Sequence, residues 1–286
     1  MNKLSFGVNT WLWTSPFTTE SVSLFPKIKG MGFDFVEIPV EQPDLIDPYK
    51  VKAELDRHGL KATTCAAFGP ERDLTHENPQ VWKNCLNYID RCLEYAEIWE
   101  SEFVAGPMYA ATGKARHISS EQRKTEWERA VINLKKACVM AEKRGVKLAL
   151  EPLNRFETDL VNSVEKMMKL IHEIDHPSAG ILMDAFHMNI EERDMESAFK
   201  LAGEKVLHVH VSENNRGIPG TGQTDWKGLK KGLQAIDYQG PICIESFTPE
   251  IKELAGAVCI WESLADDQDE FARKGLRFLK DWIDDY

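Results

Sequence analysis

Apolar residues along the chain come in short runs separated by longer stretches of helical period. The runs are LSFGVNT (4–10), FDFVEIP (33–39), KATTCAAF (61–68), EFVAGP (102–107), VKLAL (146–150), AGILMD (179–184), VLHVHVS (206–212) and PICIES (241–246). Each has the length and composition of a buried strand. Between them lie amphipathic stretches such as residues 121–145, in which Trp127, Val131, Leu134 and Cys138 recur at three- and four-residue steps and Gly145 stands at the expected stop. The segments MGFDFVEI, HGLKATT, RGVKLAL and YQGPICIES repeat one junction: a helix end, a glycine, then a strand. That pattern predicts left-handed glycine caps.

Strands alternating with helices mean parallel sheet. Eight such units in 286 residues, closed by a last helix DEFARKGLRFLKDWI, predict an α/β protein built as a single (β/α)8 (TIM) barrel, one domain over residues 1–286. An open doubly wound sheet would carry G-x-G-x-x-G after its first strand, and none is there. No linker rich in Pro, Gly or Ser divides the chain.

A formal charge of −11 argues against a nucleic-acid partner, whose phosphates need Lys and Arg. The six cysteines, Cys65, Cys85, Cys92, Cys138, Cys243 and Cys259, form no C-x-x-C pair and read as buried free thiols. The start MNKLSFGVNTWLW is too polar for a signal-peptide core, and no run reaches a membrane-spanning length. A cytoplasmic location without membrane contact is the expectation.

In a barrel of this kind the chemistry sits where the strands end. The fifth strand ends at Glu151, the sixth at Asp184, the seventh near His210 and the eighth at Glu245. Singly, each reads as well as a helix cap or ion-pair partner. Four in succession read as ligands of one divalent ion, and a carboxylate-rich set suits Mn²⁺, Co²⁺ or Mg²⁺ rather than structural zinc. No Arg or Lys lies within these strand ends to balance the carboxylates. His208, on the same strand face as His210, reads as a packed or supporting residue.

The loops add polar groups, each with a plainer reading. Glu157 could cap a helix start, His187 could simply be packed or exposed, and Arg216 could form a surface ion pair. The segments EPLNRFE, DAFHMNIEE, HVHVSENNRGIPGTGQTDW, CIESF and the C-terminal VCIWESLADDQDEFARKGLRFLKDW resemble the ketose 3-epimerases, the D-tagatose and D-allulose (psicose) 3-epimerases among the xylose-isomerase-like barrels. The likeness is specific from about residue 145 onward and looser before it. It implies metal ligands at Glu151, Asp184, His210 and Glu245 and substrate contacts at Glu157, His187 and Arg216, with Cys65 placed alongside them. The chain departs from the family in the loop AGPMYAATGKARH (105–117), which lacks a tryptophan, in the aromatics closing the first strand, and in ESF where a proline often follows the glutamate.

The activity so implied is metal-dependent epimerisation at C3 of a free ketose of the D-tagatose, D-fructose/D-allulose or L-ribulose class. It would run through a metal-stabilised cis-enediolate, with Glu151 and Glu245 as acid and base. The family suggests a homodimer or homotetramer. An aldose–ketose isomerase or related sugar epimerase, a keto-glycoside lyase acting on a different carbohydrate, and an apurinic-endonuclease-type phosphodiesterase are the alternatives on the same barrel.

Overall fold

The computed structural model describes residues 4–283; the ends of the expected 1–286 span lie outside the described residues. Eight parallel strands close a barrel in chain order: β1 (Ser5–Asn9), β2 (Phe35–Pro39), β3 (Lys61–Cys65), β4 (Phe103–Gly106), β5 (Lys147–Leu150), β6 (Ala179–Asp184), β7 (Val206–Val211) and β8 (Pro241–Ile244). Each falls within the run that predicted it. The β1–β8 pairing, Gly7 opposite Cys243, closes the ring and leaves no edge.

The outer layer holds α1 (Phe25–Met31), α2 (Pro48–His58), α3 (Pro79–Trp99), α4 (Ser120–Lys143), α5 (Val164–Ile174), α6 (Ala185–Glu191), α7 (Met195–Ala202), α8 (Trp226–Ala235), α9 (Lys252–Val258) and α10 (Gln268–Ile283). One helix per strand was the expectation; β6 and β8 are instead each followed by two. Local chemistry starts the long helices: Asn78 accepts from Gln80 N with Pro79 in the first turn of α3, and Ser119 accepts from Gln122 N before α4. On α4, Leu134 and Cys138 are fully buried against the barrel, while Trp127 and Val131 flank the core.

Three of the four glycine junctions hold left-handed glycines, Gly32 (φ 94°), Gly59 (φ 60°) and Gly145 (φ 67°). The fourth differs. Before β8 the left-handed residue is Asp237 (φ 49°), and a Cβ on Gly240 would meet the Tyr238 hydroxyl at 2.5 Å. Glycine is required there by close packing, not by its dihedral. Inside the barrel Gly7 serves likewise, since its missing Cβ makes room for the Phe35 ring. Among the described residues no helix is long and apolar enough to cross a membrane.

Candidate metal and active site

The four strand-end residues meet. Glu151, Asp184, His210 and Glu245 are all buried, and one ligand atom from each lies within 4.8 Å of the others. Register explains part of this, because β6 sets Asp184 directly opposite His210 on β7. Asp184 has two roles at once: it caps α6 by accepting from Phe186 N at 2.8 Å, and it joins the cluster. The plainer reading and the functional one are both true of it.

The donor set fits a divalent ion. Three carboxylates and one imidazole converge, and neither ring nitrogen of buried His210 makes a well-formed hydrogen bond. Its Nδ1 faces Glu245 Oε1 at 3.3 Å, while Nε2 lies 2.7 Å from Glu37 Oε1 but off the hydrogen-bond axis. Burial works against a charged His210, yet Glu37 and then Glu245 hold its pKa well above the usual imidazole range.

The absence of a cation at the strand ends does not survive folding. Arg216, from the loop after β7, places Nη1 2.8 Å from Asp184 Oδ2 and 2.9 Å from Glu245 Oε2. The sequence argument considered strand tips alone, and a loop supplies the charge. Burial would neutralise Asp184, but Arg216 and then His187 keep its pKa below the ordinary value. Glu151 goes the other way: burial, then Glu245 and Asp184, push it well above the carboxylate range.

His187 lies buried beside the cluster, Nε2 at 3.5 Å from Glu151 Oε1 and 3.7 Å from Asp184 Oδ2. The Asn154 backbone N–H donates to its Nδ1 at 3.1 Å, which leaves the proton of the neutral ring on Nε2, facing the site. Burial favours that neutral ring by lowering its pKa. Glu157 caps no helix, since Ser163 caps α5; its Oε1 accepts from Asn154 Nδ2 at 2.8 Å. Glu157, His187, Arg216 and Cys65 all line one cavity of about 680 Å³, together with Glu151, His210 and Glu245 of the cluster. Burial raises the Cys65 thiol well above its usual pKa, so it forms wall, not nucleophile.

Aromatic walls come from elsewhere than the loop after β4. Trp11, just past β1, and Phe247, just past β8, pack at 5.7 Å and both line the cavity. The Arg216 guanidinium lies over the Phe186 ring at 4.0 Å. A larger hollow of about 920 Å³ lies beside Asp73, Lys114, Arg116 and Glu126, but contains none of the strand-end ligands, and these four charges pair among themselves.

Two residues were given no role by the sequence. Glu37 sits mid-strand in β2 and is fully buried, receiving Asn9 Nδ2 at 3.0 Å, Thr63 Oγ1 at 3.0 Å and His208 Nε2 at 2.8 Å. His208 is thus a supporting residue, one layer below His210. A carboxylate inside FDFVEIP was the available signal. Glu213 organises the loop that carries Arg216, accepting from Gly220 N at 2.6 Å, Thr224 N at 3.0 Å and Trp226 Nε1 at 2.8 Å.

Similarity to known proteins points the same way. The family described as xylose isomerase-like TIM barrel matches residues 25–282. The chain is 34% identical over 279 residues to a probable ketose 3-epimerase of Synechocystis sp., covering 97% of this chain and 96% of that one. It is 30% identical over 235 residues to the 3-dehydro-D-guloside 4-epimerase of Escherichia coli, covering 80% and 88%. The crystal structure of a D-allulose 3-epimerase from Methylomonas sp. superposes with a TM-score of 0.92 at 28% identity, covering 99% of both chains.

Proposed function

The chain belongs to the ketose 3-epimerases of the xylose isomerase-like TIM-barrel family, and from that premise we propose that it inverts C3 of a free ketose with Glu151 and Glu245 as the acid–base pair. The observation that carries this reading is the convergence of Glu151, Asp184, His210 and Glu245, three of which (Glu151, His210 and Glu245) line the cavity that Glu157, His187 and Arg216 also face.

These four residues would hold the ion, with Mn²⁺, Co²⁺ or Mg²⁺ as candidates. When bound, it supplies Lewis-acid polarisation of the ketose carbonyl. The chain's own residues do the rest. One glutamate takes the C3 proton as its electron pair moves into the C2 carbonyl, giving a planar cis-enediolate. The other glutamate returns a proton to C3 from the opposite face. Two groups on opposite sides are required because a single base would return the proton to the face it came from.

His187 and Arg216, both lining the cavity, would donate to the C2 oxygen as negative charge develops on it. Glu157 accepts from a substrate hydroxyl. The substrates are D-tagatose, D-fructose/D-allulose or L-ribulose, and the enzyme works as a homodimer or homotetramer.

Protein loaded with Mn²⁺ and incubated with these ketoses in D₂O should gain deuterium at C3 as the C3 epimer appears by NMR. Glu245→Gln should lower turnover by about 10²–10⁴-fold while retaining some metal binding. Near wild-type turnover in that variant would overturn the two-carboxylate scheme. Deuterium at C1 with an aldose appearing would make the protein an isomerase. The same chemistry next to a ring ketone is favoured as a second reading by the similarity to a 3-dehydro-glycoside 4-epimerase. A 3-keto-glucoside therefore joins the panel, and exchange at its C4 alone would select that reading.

A further inference from the structure

We propose that Glu37 is a positioning residue for the metal centre: it holds the His210 proton on Nε2 and so presents Nδ1 as the ligand atom. The inference rests on the reading of Glu151, Asp184, His210 and Glu245 as metal ligands.

His210 stands between two carboxylates. Nε2 is 2.7 Å from Glu37 Oε1, and Nδ1 is 3.3 Å from Glu245 Oε1, on the side of the ligand cluster. Glu37 and Glu245 favour a charged ring in the ion-free site, but a ligating imidazole must be neutral, with one N–H, and a carboxylate oxygen offers only lone pairs. The two carboxylates therefore compete for a single proton. If Glu245 takes it, Nδ1 becomes a donor and the site loses its nitrogen ligand. If Glu37 takes it, the Nδ1 lone pair faces the ion. Neither contact is aligned as a hydrogen bond in the ion-free site, and the shorter one is to Glu37.

Glu37 is held in place independently of His210. It is fully buried, and Asn9 Nδ2, Thr63 Oγ1 and His208 Nε2 approach it at 3.0, 3.0 and 2.8 Å. Every one of these groups acts as a donor to it, so the carboxylate is anchored as an acceptor wherever the His210 ring settles. His208 neighbours His210 at 4.7 Å between ring centres, in an edge-on arrangement that restricts its tilt. A carboxylate behind a ligating histidine fixes the tautomer and raises ligand basicity, and losing it typically weakens metal binding about 10–100-fold.

Glu37, His208, His210 and Cys243 also lie within ligand distance of one another. A second ion there would have to share His210 and displace the donors that already occupy both Glu37 oxygens. The geometry points to a support for one ion, not to a second site.

Glu37→Gln puts an NH₂ donor where an oxygen stood, at nearly equal size. Calorimetry of metal-free protein with Co²⁺ should give one ion per chain for the wild type and about 10–100-fold weaker binding for the variant, with a changed Co²⁺ visible spectrum. Thermal unfolding of the two metal-free proteins should stay close. Equal affinity with an unchanged spectrum would overturn the proposal, as would two ions per chain in the wild type.

If Glu37→Gln does not fold, long-range ¹H–¹⁵N spectra of wild-type protein loaded with Zn²⁺ decide the matter. His210 should show a proton on Nε2, and a proton on Nδ1 would overturn the proposal. Failure of the wild type to bind Co²⁺ at all would instead sink the metal-site reading on which this inference rests.

Discussion

At the scale of single residues, Arg216 bears the largest electrostatic burden. It enters from a loop at φ 64°, a left-handed conformation that costs a non-glycine residue roughly 1–3 kcal/mol, and Ser246 Oγ donates to its carbonyl at 2.7 Å. Its guanidinium touches two of three clustered carboxylates, and these carboxylates in turn raise its own pKa despite burial. Removing it leaves buried carboxylates without their cation. Arg216→Met should therefore destabilise the metal-free protein by about 3–5 kcal/mol. A divalent ion supplies replacement charge, so the difference from wild type should shrink when Mn²⁺ is present. Urea midpoints with and without Mn²⁺ test this; an equal gap in both would show that Arg216 is not the balancing charge.

At the scale of elements, the loop after β4 is tied to α4 by Glu126. Arg116 Nη2 reaches Glu126 Oε2 at 2.7 Å and Lys114 Nζ reaches it at 3.2 Å, in a side chain only 7% exposed. Burial opposes its charge, but Arg116 first and then Lys114 lower the Glu126 pKa below its ordinary value. A folded-state pKa below the unfolded one gives stability that is present above about pH 4.3 and disappears as pH falls through the lower folded value. Glu126→Gln should cost about 1–3 kcal/mol at pH 7, and that difference should shrink at an acid pH below about 4.3. Urea midpoints of both proteins at the two pH values provide the comparison; a gap that widens in acid would contradict the assigned sign.

The whole molecule has one large core and small satellites. Leu134 lies in the main cluster between helices and barrel, whereas Leu254 belongs with Phe247 and Ile260 in a cluster over the cavity mouth. Leu134→Ala should cost about 2–5 kcal/mol of global stability. Leu254→Ala should fall below that range and instead raise KM, because Leu254 lines the cavity. Denaturant unfolding and initial rates separate the two effects. Equal losses of stability would mean that the mouth cluster folds as part of the main core.

The sequence alone determined the eight strands and the four strand-end residues that converge at the candidate metal site. Both follow from local rules: strand length and apolar runs mark the barrel, and a strand's last residue must lie on the active face. His210 was separable from His208 for the same reason, since period-two alternation fixes depth along a strand. Cys65, Glu157 and His187 were named as substrate contacts, without any account of which protein groups hold each in place. Arg216 as the cation among the carboxylates, and Glu37 behind the histidines, were decided only by tertiary structure. Glu37 lies on β2 and His208 on β7, strands that are not neighbours in the sheet. They meet across the interior because the ring closes, and closure is a property of all eight strands together. The position of Arg216 depends equally on a loop folded around Glu213, whose three donors come from residues 220, 224 and 226. Local periodicity specifies which face a residue occupies; which charges share the enclosed space follows from how the chain closes around it.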